Sequence, residues 1–234
     1  MTNIKKAMSW DDPDVYRYEE TIALKIPGYL HLYDMTDRLI AAHLENVASV
    51  ELLVIGAGGG QELVTFGKRH EAWKMTGIDP SSRMLEIAKL RVEQAALKQQ
   101  ITYVQGTIEQ LEAGPLFDAA TCLLVLHFVK GLAQKQDLLH RIAERLKPGS
   151  PICLAAINGE PGSAAFEIQM KAWKSHMLDK GISLEDWERF AASVGYETEP
   201  VSSSVINELL LEAGFKQATR YFGSYLIEGW MAFR

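Results

Sequence analysis

Hydrophobic and polar positions along this chain alternate between two patterns. Short segments of strand character, Leu52 to Ile55, Met75 to Ile78, Ile101 to Gln105, Phe117 to Leu126 and Pro151 to Ile157, are separated by stretches whose apolar residues recur every three or four positions. The unbroken runs among them are what parallel strands covered on both faces require. The intervening stripes predict helices over Asp14 to Lys25, over Tyr29 to Leu44 with Leu32, Met35, Leu39, Ile40 and His43 on one face, and over Gln134 to Leu146. A further helix opens at Ser81, a plausible N-cap, with Met84, Leu85, Ala88 and Val92 in line. Ile26-Pro27-Gly28 divides the first two helices, because Pro has no N–H to donate and Gly frees the turn. This βα rhythm predicts an α/β, doubly wound sheet that receives ligands beyond the carboxyl ends of its strands.

The rhythm changes at Asn158. Glu160-Pro161-Gly162 starts a helical stretch carrying Phe166, Met170, Trp173 and Met177 at helical spacing; helices over Leu184 to Val194 and Ser204 to Ala213 follow. The ending GFKQATRYFGSYLIEGWMAFR reads as two β segments around Gly223-Ser224, a hairpin that adds an antiparallel edge and brings the sheet to seven strands. The organisation expected is an N-terminal helical cap over residues 1–46 and a main domain over 47–234, with 158–202 as a helical insertion that shapes an acceptor site.

Two stretches carry the chemistry. Leu52 to Ile55 runs into Gly56, Ala57, Gly58, Gly59 and Gly60, and then Gln61-Glu62-Leu63-Val64 begins a helix. Glycines suit a turn that needs φ > 0 and a ligand that must approach without meeting a Cβ. A dinucleotide fingerprint would place its third glycine at position 61, where this chain has Gln61, so a different adenosine ligand fits better. Nineteen residues after Gly60, Asp79 ends the second strand. An acid there can accept two hydrogen bonds from a ribose diol.

Composition narrows the classes. The 234 residues suffice for a full core, the net charge of −6 argues against free nucleic acid as the main partner, and 47% hydrophobic content is that of an ordinary globular protein. Cys122 and Cys153 lie inside apolar runs and read as buried thiols of a reducing compartment. No apolar run is long enough for a membrane span, and the opening MTNIKKAMSWDDPD lacks the apolar core of a secretion signal, so a cytoplasmic location is expected. No His, Cys or carboxylate spacing suggests a metal site.

LLVIGAGGGQELV, GIDPSSRMLEIAK, a polar turn after the third strand, FDAATCLLVLHFV and RLKPGSPICLAAI together resemble class I S-adenosylmethionine-dependent methyltransferases, over about residues 47 to 234. The ending resembles the reversed terminal hairpin of that Rossmann-like fold. The IPGY tetrapeptide (Ile26 to Tyr29) and the ending are also similar to carboxy-S-adenosylmethionine synthases of tRNA wobble-uridine modification. The resemblance implies S-adenosyl-L-methionine as cofactor, with Gly56, Ala57 and Gly58 passing under its methionine part and Gly60 also among the cofactor-binding residues. It implies Asp79 on the ribose, Pro80 and Met84 near the adenine, Thr107 and Ile108 at the adenine amino group and ring, and Leu123, Leu124 and Val125 as the floor. Tyr29 is expected to close over the cofactor carboxylate. The chain departs from the pattern at Val54, where many members carry an acid, at Thr107 in place of Asp, and at Leu123, where the synthases have Asn. Arg189 is the nearest counterpart to the synthases' basic pair.

Methyl transfer from a sulfonium asks mainly for positioning and exclusion of water. His127 and Tyr29 are the candidate catalytic residues, with Tyr18 and His31 behind them; the plainer reading of His127 is a backbone-bonded structural residue. Three functions compete: methylation of a small molecule, synthesis of a modified cofactor, and NAD-dependent oxidoreduction, beside a non-catalytic cofactor-binding module. The partner expected is a small-molecule methyl acceptor, and a homodimer is left open.

Overall fold

The computed structural model describes residues 21–234. Of the helix expected over Asp14 to Lys25, residues 21–25 are helical; its earlier part and Tyr18 lie outside the described residues. The described elements are helix α1 (Tyr29–His43), strand β1 (Glu51–Ile55), α2 (Gln61–Gly67), β2 (Lys74–Asp79), α3 (Ser82–Gln94), β3 (Ile101–Gln105), β4 (Ala119–Leu123), α4 (Leu132–Arg145), β5 (Pro151–Ile157), α5 (Ala164–Asp179), α6 (Leu184–Ser193), α7 (Ser203–Glu212), β6 (Lys216–Ser224) and β7 (Ile227–Phe233).

One seven-stranded sheet, ordered β3-β2-β1-β4-β5-β7-β6, organises them. β1 to β5 pair in parallel, and β7 runs antiparallel to both β5 and β6. Strand β5 is buried along its whole length and β4 likewise, which is why neither shows a polar alternation. Two apolar layers cover the sheet. Leu52, Val54, Leu63, Phe66 and Leu123 belong to the layer that takes in α1, α2 and α5; Leu53, Ile55, Leu139, Ile142 and Leu210 belong to the layer under α4 and α7.

Three boundaries differ from expectation. β4 covers Ala119–Leu123 instead of Phe117 to Leu126: Phe117 makes a single bridge to Leu146, and Leu124 takes φ +61°, which turns the chain out of the sheet. The hairpin turns at Tyr225-Leu226, and Gly223 stays inside β6, where it pairs with Glu228. Helix α4 begins at Leu132. Periodicity alone cannot place such ends, since the apolar run continues past the strand as buried turn residues.

Candidate active site

The glycine-rich turn and Asp79 meet at the carboxyl edge of β1 and β2. The Gly58 N–H donates to Asp79 Oδ2 at 2.8 Å, while Asp79 Oδ1 accepts the Ser81 N–H at 2.9 Å. The Ala57 N–H donates to the Ile78 carbonyl at 2.8 Å, so the end of β2 grips the turn twice. From the other side Arg91 donates to the Gly59 carbonyl at 2.8 Å and to Gln61 Oε1 at 2.7 Å. Arg91 reads from the sequence as part of a solvated helix face; the structure makes it a clamp, and gives Gln61 its partner.

The glycines do different things. Gly56 takes φ +67°, and a Cβ on it would stand 2.2 Å from Val125 Cγ2. It therefore admits a side chain of the protein, where the sequence suggests room for a ligand. Val125 reaches that place through the left-handed Leu124, a conformation that costs a non-glycine residue about 1–2 kcal/mol and that collects at functional sites. Gly60, φ +79°, lies against Ala88 of α3: an added Cβ would be 2.9 Å from the Ala88 Cα. Between them Gly58, φ +47°, has the Met84 methyl 3.4 Å and the Gly56 carbonyl oxygen 3.6 Å from its Cβ position, ordinary contacts both.

Beside Asp79, the structure brings Met84 and Val125 of the expected residues to this turn. Ala57, Met84, Ile108 and Leu123 are buried, and Ser81 caps α3 by accepting the Met84 N–H at 3.1 Å. Pro80 is exposed. Thr107 is exposed as well: its N–H donates to Gln110 Oε1 at 2.7 Å, and its hydroxyl donates to the Glu109 carboxylate. Tyr29 is buried in the first apolar layer and packs edge-on against Tyr33, ring centroids 4.8 Å apart. His31 is exposed. Arg189 lies on an exposed helix face with Asp186 3.1 Å away and Glu185 3.8 Å away.

His127 is 4% exposed and links β4 to β5: its Nδ1 accepts the Ile157 N–H at 3.2 Å, and its carbonyl accepts the Glu199 N–H at 2.6 Å. Burial, with the nearby charge of Lys135, holds the imidazole down to about pKa 3, so the ring is neutral at physiological pH. A ring so placed is a poor proton acceptor, and its acceptor nitrogen is already engaged. The buried ammonium of Lys135 donates to the Leu126 and Val129 carbonyls, and Glu199 accepts the Gly131 N–H at 2.9 Å, which ties the segment after β4 to the connection between α6 and α7.

The side chain that sequence reasoning passed over is Glu62. It sits in the first turn of α2 and is 2% exposed, with Oε1 accepting the Thr121 hydroxyl at 3.0 Å. An acid in a helix's first turn is ordinary, so nothing in the sequence marks it as buried. Burial, and secondarily the Asp79 charge, pushes its carboxyl up to about pKa 8, against the lowering effect of Thr121.

Comparison with known proteins sets this geometry in context. Residues 53–152 match the family described as a methyltransferase domain. A ubiquinone biosynthesis O-methyltransferase of Alkalilimnicola ehrlichii is 31% identical over 153 residues, 64% of this chain and 58% of that protein. The chain spans about three fifths or less of the length of the curated relatives it matches. Among solved structures, magnesium protoporphyrin IX methyltransferase from Synechocystis PCC 6803, with bound S-adenosylhomocysteine, superposes with a TM-score of 0.69 at 16% identity over 96% of each chain. The N-methyltransferase NodS from Bradyrhizobium japonicum, also with S-adenosylhomocysteine, gives 0.60 at 15% identity over 96% of this chain and 93% of that one. Identities this low speak for the fold, including the reversed β7. Sequence and architecture thus agree: residues 53–152 carry a methyltransferase domain, set in a Rossmann-like sheet of the kind these solved methyltransferases have.

Proposed function

We propose that this protein transfers a methyl group from S-adenosylmethionine to a hydroxyl oxygen of a small, largely apolar molecule. The observation that carries the reading is that Asp79 bridges the glycine turn at Gly58 and the start of α3 at Ser81, which holds a carboxylate at the edge between β1 and β2 where a ribose diol would be met. Met84, whose methyl lies 3.4 Å from the Cβ position of Gly58, offers apolar surface there for an adenine ring, with Ile108 the second candidate. The choice of oxygen is supported by the relatives named as O-methyltransferases. S-adenosylmethionine supplies, when bound, a methyl already activated by its sulfonium. The chain's own residues then hold the partners in line and keep water out, the terms that dominate when no strong base is needed. His127 takes no part as a base in this reading; it fixes β4 against β5.

For the acceptor, the insertion supplies a cleft of about 360 Å³ lined by Phe166, Met170, Trp187 and Val194, with Lys171 and Lys174 among its walls. That volume lies within the range of small-molecule sites. The α5 stripe divides accordingly: Phe166 and Met170 line the cleft, while Trp173 and Met177 are fully buried and Trp173 Nε1 donates to the Lys25 carbonyl at 2.7 Å. The lysines favour an acceptor with an acidic group. Carboxylated-cofactor synthesis is the weaker reading, because Arg189 already lies between carboxylates on an exposed face. We place the enzyme in a reducing cytoplasm, on the strength of its two buried free thiols; among the described residues no helix is long and apolar enough to cross a membrane.

Calorimetry with S-adenosylmethionine, S-adenosylhomocysteine and NAD tests the reading. The first two are expected to bind and NAD not, and Asp79→Ala is expected to weaken the first two about 10- to 100-fold, the scale of charge-assisted hydrogen bonds. Affinity for NAD alone, or unchanged affinity in the variant, sinks it.

A further inference from the structure

Buried carboxylates are ordinarily matched by a cation, because the bare charge is costly to desolvate. Glu62 is not matched in this way. Its partner is the Thr121 hydroxyl, and among the described residues no Lys, Arg or His lies within ion-pair distance. The groups that face it electrostatically are Asp79 from β2, Cys122 from β4 and Tyr221 from β6, and Tyr221 is itself hydrogen-bonded to Thr36 of α1 at 2.6 Å. None of these is a cation.

The position of the carboxylate is informative. Thr121 stands beside Val54 in the β1–β4 register, and Val54 points into the same apolar layer as Leu63, the residue after Glu62. The helix thus delivers a carboxylate over the two central strands, in its first turn after the glycine bend, where β1 itself offers only Val54. S-adenosylmethionine is an amino acid derivative whose free end carries an ammonium, a group needing an acceptor in a place largely closed to water.

Resting on the methyltransferase reading above, we infer that Glu62, delivered by the helix over strands whose own residue there is the apolar Val54, receives the ammonium of the cofactor's amino acid end. Proton linkage gives the assignment a signature of its own. The free protein holds Glu62 largely protonated at neutral pH, and a cation bound beside it draws the proton off. Binding therefore releases a proton, and ligands lacking the ammonium release none.

The test is calorimetry on the full chain and on Glu62→Gln, a variant isosteric with the protonated acid, using S-adenosylhomocysteine and 5′-methylthioadenosine, which lacks the amino acid end. Glu62→Gln is expected to weaken S-adenosylhomocysteine about 10- to 100-fold and to leave 5′-methylthioadenosine within about twofold. In buffers of different ionisation enthalpy at pH 7, the wild type is expected to release about one proton with S-adenosylhomocysteine, and the variant none. Equal weakening of both ligands would mean that Glu62 only packs the turn, and it overturns the assignment. So does an unchanged affinity or unchanged proton release in the variant; either leaves the methyltransferase reading standing. A wild type that binds neither ligand removes both.

Discussion

Glu62 makes stability depend on pH in an unusual direction. Its carboxyl is pushed from the ordinary 4.5 up to about 8 by burial. Between those values the native state keeps a proton that the unfolded chain has released. The contribution is therefore fully present below 4.5 and is lost as pH rises through about 8. Thermal melts of the ligand-free protein between pH 5 and 8 should show the wild type losing ground against Glu62→Gln as pH rises; parallel curves would mean that the acid is not buried as described. His127 offers the second residue-scale prediction. Replacing it by Ala orphans the Ile157 N–H and should cost about 1–3 kcal/mol in urea unfolding. Asn can accept the same N–H, so His127→Asn should recover most of that stability and leave the pH profile of methyl transfer unchanged. A pH limb that vanished in both variants would restore His127 as a base.

At the scale of elements, the glycine turn is a junction of four pieces. β1 enters it, β2 holds it through Asp79 and Ile78, Val125 after β4 covers Gly56, and α3 closes on Gly60 and through Arg91. Gly60 and Gly149 separate the two reasons for a glycine. Both have φ near +80°, at +79° and +81°, but a Cβ at Gly149 meets nothing within 4 Å, whereas at Gly60 it meets Ala88 backbone at 2.9 Å. Gly149→Ala should therefore cost only the backbone strain of about 1–2 kcal/mol. Gly60→Ala should cost about 2–4 kcal/mol once the packing clash is added, and should also weaken cofactor binding by moving the turn. Equal losses in denaturant titrations of the two would show that α3 yields freely.

For the whole molecule, the proposed function divides the sheet's carboxyl edge into a cofactor half at β1–β2 and an acceptor half built by the insertion after β5. The division predicts separable kinetics. Trp187→Ala, which opens one wall of the insertion cleft, should raise KM for the acceptor about tenfold or more while leaving S-adenosylhomocysteine affinity within about twofold. Steady-state kinetics with a responsive acceptor, paired with calorimetry, checks it; a loss confined to cofactor affinity would place the cleft outside acceptor binding.

Local order was enough for much of this. The strand–turn–helix at Leu52 to Val64, Asp79 closing the second strand, the Ser81 cap and the hairpin ending are set by nearest neighbours and by periodicity, so the alternation of elements and the pairing of turn with acid are written in the chain itself. Other features had no local signature. Whether Gly56 makes room for a ligand or for Val125 depends on a residue 69 positions away. Whether Arg91 is solvated or clamps Gly59, and whether Glu62 is exposed or buried against Thr121, depends on contacts 32 and 59 residues apart. Solvation, charge pairing and proton affinity are properties of surroundings, and for these side chains the surroundings exist only once the sheet has brought distant strands together.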